Sequence, residues 1–267
     1  MKWFKDIITL SKNSRGCYIL DPIKGCSVCG TSKPSGCYDD CYAKRISDRY
    51  GIDFANVIER KFIKSYQYGL FEKTLNLHAD SIVNEIKNIP MSFVRMGEMG
   101  DPSERWEHTI NICKEISRAG KPIVIITKHW KPIPEKLLKV ISDIDICINT
   151  SVSALDSEQE LKHRLYQYER LKPYCNSVLR IVSCDFNLNN EEGAHRNNIQ
   201  NELLKIEPII DTVFRPSKSN RLILDGIINV KKVKFLRSTM LASMHNVDTY
   251  LGICDTCPDM CGINFRR

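Results

Sequence analysis

The chain has 267 residues, a formal net charge of +7 and twelve cysteines, and 42% of its residues are hydrophobic. This length fits one large domain or two small ones, and α/β barrels commonly occupy it as a single unit. No apolar run approaches the roughly 18 residues of a membrane span, and no signal-peptide core follows the first residue, so the sequence predicts a cytoplasmic protein without a membrane partner.

The first predicted elements lead into a loop that is rich in cysteine. Residues 17–20 predict a short buried strand that ends at Asp21-Pro22, because proline cannot donate to a sheet ladder. Residues 26–44 follow, with four cysteines, glycine, serine and proline but no apolar period, so these cysteines do not serve core packing. Helical patterns follow from Tyr42 and over residues 54–87, with a break expected near Gly69.

Beyond residue 90, predicted strands and helices alternate. Strands are predicted at 92–96, 122–127, 145–150, 177–182 and 211–215. Helices are predicted at 103–119, 135–141, 157–171 and 194–206. With the first strand, these six repeated βα units predict an α/β fold with a parallel sheet, which either closes into a partial or full barrel or lies open as a doubly wound sheet.

Polar residues fall where the predicted strands end. In both arrangements, functional groups are expected at the carboxyl edge of the sheet. Besides the cysteine loop, the candidates at this edge are Gly97, Glu98, Asp101, Thr127, Lys128, Asn149, Ser151, Ser153, Cys184 and Arg215. His129 follows the third of these strands, but a surface role is the simpler interpretation for it.

Two interpretations of the clustered cysteines are open, a disulfide knot and a metal site. Structural disulfides are rare in a reducing compartment, where clustered cysteines more often bind metal. The predicted cytoplasmic location therefore favours metal or iron–sulfur ligation by Cys26, Cys29, Cys37 and Cys41.

The C-terminal segment carries a second group, Cys254-x2-Cys257-x3-Cys261, with proline and glycine in the turn. Thiolates at this spacing converge on one metal centre. The group is expected to hold an auxiliary [4Fe–4S] cluster, either with Cys17, Cys26 or Cys184 as the fourth ligand or with one position left open to substrate. Zinc is the structural alternative, and a third interpretation has these cysteines completing the site at the first loop.

The spacing Cys29-x7-Cys37-x3-Cys41-Tyr-Ala after the first strand, and the Gly97-Glu98 element after the second, resemble the radical S-adenosylmethionine (SAM) enzymes. The closest likeness is to phage-encoded radical-SAM-like proteins with non-standard cysteine spacing, and it covers roughly residues 15–215. The run SVSALDSEQELKHRLYQYERLK, followed by LRIV, also resembles the middle of such a barrel. The usual C-x3-C-x2-C signature is incomplete, because Lys44 stands three residues after Cys41.

The resemblance implies a partial (β/α)6, TIM-like barrel over residues 1–215 and a cysteine-bearing extension over 216–267. It implies that Cys29, Cys37 and Cys41 hold a [4Fe–4S] cluster, with Cys26 as the alternative to Cys29. The open iron of such a cluster binds SAM, which reduction cleaves to methionine and a 5′-deoxyadenosyl radical. A flavodoxin- or ferredoxin-type protein is the implied electron donor.

Further residues are assigned to SAM through the same resemblance. Gly97 with Glu98 or Asp101 would receive its ammonium group. Asn149, Ser151 and Ser153 would contact its ribose and carboxylate, and Arg180 would hold its carboxylate or a substrate phosphate. Cys184 is the candidate hydrogen-atom donor, or a ligand to a second centre. Each has a plain structural alternative: helix caps for the polar residues, an ion pair for Arg180 and core packing for Cys184.

The sequence thus predicts a radical SAM enzyme. The positive charge favours a nucleotide or nucleic-acid base as substrate, although another small molecule is also open. The alternative is a nucleic-acid-binding protein stabilised by zinc or iron–sulfur, without SAM chemistry. The sequence leaves the substrate and the oligomeric state open.

Overall fold

A computed structural model of the protein describes residues 6–31, 36–63, 65–66, 74–75, 77–229, 234–236, 239–244, 247–250, 253–254 and 257–265. Its strands are β1 (Ser11–Lys12), β2 (Tyr18–Ile19), β3 (Ile23–Lys24), β4 (Ile58–Glu59), β5 (Ser65–Tyr66), β6 (Thr74–Leu75), β7 (Val94–Met96), β8 (Ile123–Thr127), β9 (Ile146–Val152), β10 (Asn176–Ser183), β11 (Ile209–Val213), β12 (Lys234–Leu236), β13 (Thr239–Met244) and β14 (Val247–Tyr250). Its helices are α1 (Val28–Thr31), α2 (Tyr42–Arg49), α3 (Leu77–Asn88), α4 (Trp106–Ile116), α5 (Glu135–Ser142), α6 (Glu158–Leu171), α7 (Glu191–Leu203) and α8 (Arg221–Leu224).

The central sheet has seven strands in the order β1-β2-β7-β8-β9-β10-β11. The six strands from β2 to β11 in this order are parallel, and β1 pairs antiparallel at the edge. Neighbouring parallel strands also follow one another along the chain, except for the short β3–β6 between β2 and β7. The predicted α/β class with a mostly parallel sheet is therefore confirmed.

Both faces of the central sheet are covered, and its strands are accordingly rich in apolar residues. All seven residues of β9 are buried, as expected for a central parallel strand. One face packs against α3, α4 and α5 through residues such as Val94, Ile125 and Ile148. The opposite face, called the inner face below, presents Ile19, Val124 and Val178 and packs against Cys254 and Cys261 of the C-terminal segment.

The predicted strands and helices beyond residue 90 agree with the structure to within three residues at each end. The prediction of a long helix over 54–87 was wrong. Residues 58–59 instead form β4, which pairs antiparallel with β3, and the helix α3 begins only at Leu77. Tertiary pairing next to the cysteine loop overrides the local apolar spacing. The expected break near Gly69 lies outside the described residues.

Beyond β11, the strands β12, β13 and β14 form a three-stranded antiparallel sheet. Residues 257–265 include a 3₁₀ helix, Met260–Phe265. Within the part of the chain that the structure describes, no helix is long and apolar enough to cross a membrane.

Candidate functional site

The four cysteines of the first loop line one cavity of about 200 Å³. The cavity lies at the carboxyl ends of β7, β8 and β9, where Gly97, Thr127 and Ser151 also face it. Of the residues predicted at the sheet edge, those that line it are Cys26, Cys29, Cys37, Cys41, Gly97, Glu98, Asp101, Thr127, Lys128 and Ser151. The structure therefore brings the loop and the Gly97-Glu98 element together, as the sequence predicted.

Three of the thiols are in direct hydrogen-bond contact. The Cys29 thiol contacts both Cys26 and Cys41, and these bonds, together with burial, raise the pKa of Cys29. Cys41 precedes α2 as its N-cap residue. The bond from Cys29 and the backbone N–H groups of residues 37, 43 and 44 outweigh burial and lower the pKa of Cys41 to about 6. Cys41 thus ionises more readily than an ordinary cysteine, and thiolates are the form that binds metal.

The start of the loop is fixed to two neighbouring segments. Gly25 pairs with Gly100 in a parallel bridge, and its N–H donates to the carbonyl of Met99 over 3.0 Å. The carboxylate of Glu104, which is 1% exposed, accepts from the N–H and hydroxyl of Ser27, each over 2.8 Å. These bonds hold the loop beside the segment that follows β7.

The middle of the loop is anchored by Tyr38, which follows Cys37. The Tyr38 hydroxyl donates to Asp156 over 2.7 Å, and the ammonium of Lys128 contacts both this hydroxyl and the ring face. Asp156 also forms a buried ion pair with Arg164. Burial would raise the pKa of Asp156, but the nearby charges of Lys128 and Arg164 lower it to about 2. A buried, ionised carboxylate therefore ties the loop to the end of β9.

The Gly97-Glu98 turn is shaped by a second buried carboxylate. Asp21, directly after β2, accepts from the N–H groups of Gly97, Glu98 and Met99 over 2.9 to 3.0 Å. Burial raises the pKa of Asp21, and these three bonds oppose that shift. Oε2 of Glu98 accepts from Arg95 and from Asn13, the latter over 2.9 Å. Glu98 is thus held in place at the cavity wall through one oxygen.

Gly97 is expected to be intolerant of a side chain. Its φ is +97°, and a Cβ there would lie 2.2 Å from the carbonyl oxygen of Ile126. We expect Gly97→Ala to lower the free energy of unfolding by about 2–4 kcal/mol, from backbone strain and the clash together. Urea denaturation measures this loss. Gly51→Ala is the matched control, because Gly51 has φ +61° and open space around it, so it carries only the backbone cost. Equal losses in the two variants would contradict the clash.

Asp101 lines the same cavity but already serves as a cap. Its carboxylate accepts from the N–H and hydroxyl of Ser103, the hydroxyl of Thr127 and the N–H of Lys128. Both oxygens are used in these bonds. Of the two carboxylates considered for SAM, Glu98 therefore has the freer group.

Four of the residues assigned to SAM or to hydrogen-atom transfer do not line this cavity. Asn149 and Arg180 bond to each other on the inner face, and Asn149 donates to the carbonyl of Cys261 over 2.9 Å. Ser153 donates to the carbonyl of Val182 at the next strand. Cys184 lies in an apolar cluster with Ala154, Phe186 and Ile228. Asn149 and Arg180 lie within β9 and β10, before the strands end, and Cys184 is enclosed by apolar side chains, so the strand-end rule does not bring these residues to the cavity.

Two side chains near the site differ in burial. Tyr42, the residue after Cys41, is 56% exposed on α2. His129 is fully buried, and its Nε2 lies 3.1 Å from the Thr150 hydroxyl. Burial lowers the pKa of His129 to about 3, so its ring is neutral. The expected surface role of His129 was wrong, because its ring is buried between the Trp106 ring and the Thr150 hydroxyl.

The second cysteine group lies on the inner face with Cys17. The thiol of Cys17 is hydrogen-bonded to Cys254, and both belong to one apolar cluster with Cys261. Of the three residues considered as a fourth partner, Cys17 is therefore the one the structure brings to this group, since Cys26 lies in the first cavity. All twelve cysteines lie in described segments, and none forms a disulfide.

The sequence interpretation missed the residues that support the loop. Asp21 was taken only as a strand end, and Glu104, Tyr38, Asp156 and Arg164 were not singled out. One usable signal was Tyr38, an aromatic residue inside a polar loop. The partners of Asp156 lie up to 118 positions away in sequence, so no local pattern identifies them.

Comparison of the sequence with models of known protein families and with curated proteins gives no match. In the described residues, no three His, Cys, Asp or Glu side chains are positioned to hold a single metal ion as they stand. The chemistry of the site is therefore inferred from its own residues.

Proposed function

We propose that the protein is a radical SAM enzyme. The observation that carries the proposal is that all four loop cysteines line one cavity together with Gly97 and Glu98. In this proposal the six parallel strands, which follow chain order, curve into a partial (β/α)6 barrel with the cavity at its mouth. The site would then lie at the carboxyl ends of the strands, where sites of such barrels are found.

The donor set fits an iron–sulfur cluster. Thiolates are the protein ligands of such clusters, and a three-thiolate cluster leaves one iron open. We assign Cys29, Cys37 and Cys41 as ligands and Cys26 as the hydrogen-bond partner of Cys29. Held by these three thiolates, a cluster would, once reduced, supply the electron needed to cleave SAM to methionine and a 5′-deoxyadenosyl radical.

The side chains around the thiols suit the polar groups of SAM. Glu98 presents a carboxylate to an ammonium group, and its bonds to Arg95 and Asn13 keep that carboxylate oriented. Ser151 offers a hydroxyl at the end of β9. Lys128 adds a cation at the cavity wall, with its charge partly balanced by Asp156 at 3.5 Å.

The charge of the protein and of the cavity bears on the substrate. A nucleotide or nucleic-acid base is favoured by the net charge of +7 and by Lys128 at the cavity. A flavodoxin- or ferredoxin-type protein would deliver the electron.

The test is an anaerobic experiment on the whole chain. After reconstitution with iron and sulfide, the protein is reduced and mixed with SAM, and 5′-deoxyadenosine is quantified. The proposal expects 5′-deoxyadenosine and a change in the EPR signal of the cluster on addition of SAM. A colourless, zinc-loaded protein that binds nucleic acid but cleaves no SAM would overturn it in favour of the binding protein.

The two neighbouring cysteines, Cys26 and Cys29, are expected to differ in effect. The thiol of Cys29 contacts the thiols of Cys26 and Cys41. The described thiol bond of Cys26 is the one to Cys29. We expect Cys29→Ser to lower SAM cleavage by more than about 100-fold and Cys26→Ser by about 10–100-fold, since changes to the hydrogen-bond partners of ligands cost roughly that much. Product quantification by chromatography measures both. The reverse order would exchange their assignments.

A further inference from the structure

We propose that Cys17, Cys254, Cys257 and Cys261 form a second metal site, a four-thiolate centre on the inner face of the sheet. It takes a thiophilic metal, either an iron–sulfur cluster or Zn²⁺. This site is separate from the first loop and does not depend on SAM chemistry.

Cys17 is placed by a turn that also holds the C-terminal segment. The side-chain oxygen of Asn13 accepts from the N–H of Cys17 over 3.0 Å, and the carbonyl of Cys17 accepts from the N–H of Asn13 over 2.9 Å. The carbonyl of Arg15, in the same turn, accepts from the N–H of Cys254 over 2.8 Å. One turn therefore fixes two of the four cysteines, which lie 237 positions apart in the sequence.

The C-terminal turn is hydrogen-bonded directly to two strands of the central sheet. Asn149 of β9 donates to the carbonyl of Cys261, and Asn176 of β10 donates to the carbonyl of Gly262 over 2.8 Å. Gly262 has φ +89°, and a Cβ there would lie 2.6 Å from Val178. The backbone of this turn thus approaches the sheet as closely as only glycine allows. Cys257 is tied to the same turn, since its N–H donates to the carbonyl of Cys254 over 3.2 Å.

A buried cation adds an independent argument. The side chain of Arg95 is 13% exposed, and its electrostatic neighbours include Cys17, Cys254 and Cys261. Its Nε is buried with no hydrogen-bond partner. Glu98 supplies one negative charge, yet a guanidinium in an apolar cluster is favoured by a further anion. Four thiolates around Zn²⁺ or a [4Fe–4S]²⁺ core carry a net charge of about −2, which Arg95 would face.

Metal binding requires a small rearrangement of the thiols. Cys17 and Cys254 are hydrogen-bonded to each other, so their sulfur atoms do not yet surround an ion. Rotation about the Cα–Cβ bond moves a sulfur atom between staggered positions while the backbone stays fixed. The backbone bonds described above therefore define the site before the metal enters.

The test replaces the four cysteines of the first loop and measures whether the protein still binds metal. The parent variant carries serine at Cys26, Cys29, Cys37 and Cys41, and it is reconstituted anaerobically with iron and sulfide, or with Zn²⁺ alone. We expect about four irons or about one zinc per chain. Adding Cys17→Ser should lower bound metal by more than about 10-fold, and Cys257→Ser should do the same. Cys175→Ser, a cysteine at the sheet's edge outside both groups, should leave it unchanged.

The outcomes separate this site from the proposed function, because the parent variant has no SAM site. Four irons with a cluster spectrum, or one zinc with no colour, supports the four-thiolate centre and identifies its metal. Unchanged metal after both Cys17→Ser and Cys257→Ser overturns it. A parent variant that keeps wild-type circular dichroism but binds no metal overturns it as well. Since Cys257 is only half-buried, its variant tests the site even where Cys17→Ser fails to fold.

Discussion

Cys41→Ser is expected to remove about four irons per chain from the reconstituted protein and to lower SAM cleavage by at least about 100-fold. Cys41 faces the cavity beside Cys29, and its lowered pKa of about 6 favours the thiolate form that binds metal. Serine keeps the size and the hydrogen bonds of the side chain. Because the helix α2 and its N-cap survive the change, the loss reports ligation rather than folding.

The measurement is iron and sulfide per chain, together with 5′-deoxyadenosine after reduction with SAM present. Cys175→Ser is the matched control, since burial raises the pKa of Cys175 to about 12 and its thiol donates to the carbonyl of Leu171, away from both cysteine groups. Full iron content in Cys41→Ser would contradict the assignment of this loop. Loss of iron with retained SAM cleavage would show that the second cysteine group carries the chemistry.

The strands and helices beyond residue 90 were predictable because each has a clean local pattern. The run Ile123–Thr127 is continuously apolar and bounded by Pro122, and Ser157 with Glu160 forms a capping box at the start of α6. The segment from 54 to 63 failed because its structure depends on a partner. Its apolar spacing suits a helix, but Ile58 pairs with Lys24, which is 34 positions earlier.

Of the candidate site, only the residues that line the cavity were predictable from the sequence. Cysteine spacing and strand ends located the residues that line the cavity, because parallel strands bring their carboxyl ends to one edge. The supporting carboxylates Asp21, Glu104 and Asp156 could not be found this way. Each acts on residues 76 or more positions away, and an isolated acidic residue in a sequence shows no sign of burial.

The two cysteine groups are linked through residues of the inner face. Asn13 binds the N–H of Cys17 with its oxygen and the carboxylate of Glu98 with its amide nitrogen. Arg95 binds Glu98 and neighbours the second group. The same few side chains therefore position the wall of the first cavity and the thiols of the second, so a change of charge in one group acts electrostatically on the other.

Asp156→Asn is expected to lower the free energy of unfolding by about 3–5 kcal/mol at neutral pH. The side chains of Asp156 and Arg164 are 0% and 1% exposed, and Lys128 is 3.5 Å from the same carboxylate. Asparagine keeps the shape but removes the counter-charge beside Lys128 and leaves Arg164 with the more distant Glu160 at 3.8 Å, and the hydroxyl of Tyr38 loses a charged acceptor. We also expect a lower iron content, because Asp156 anchors Tyr38, the residue next to Cys37.

The effect should depend on pH with a definite sign. The pKa of Asp156 is about 2 in the folded protein, below the roughly 3.9 of an unfolded aspartate. Its ionisation therefore stabilises the fold by about 2–3 kcal/mol above pH 4, and this contribution is lost as the pH falls from about 4 to 2. Urea denaturation of both proteins should show their difference shrinking across that window. Glu169→Gln, an exposed partner of Lys172, is the control and should cost under about 1 kcal/mol at any pH. A difference that stays constant down to pH 2 would show that Asp156 acts through packing and not through its charge.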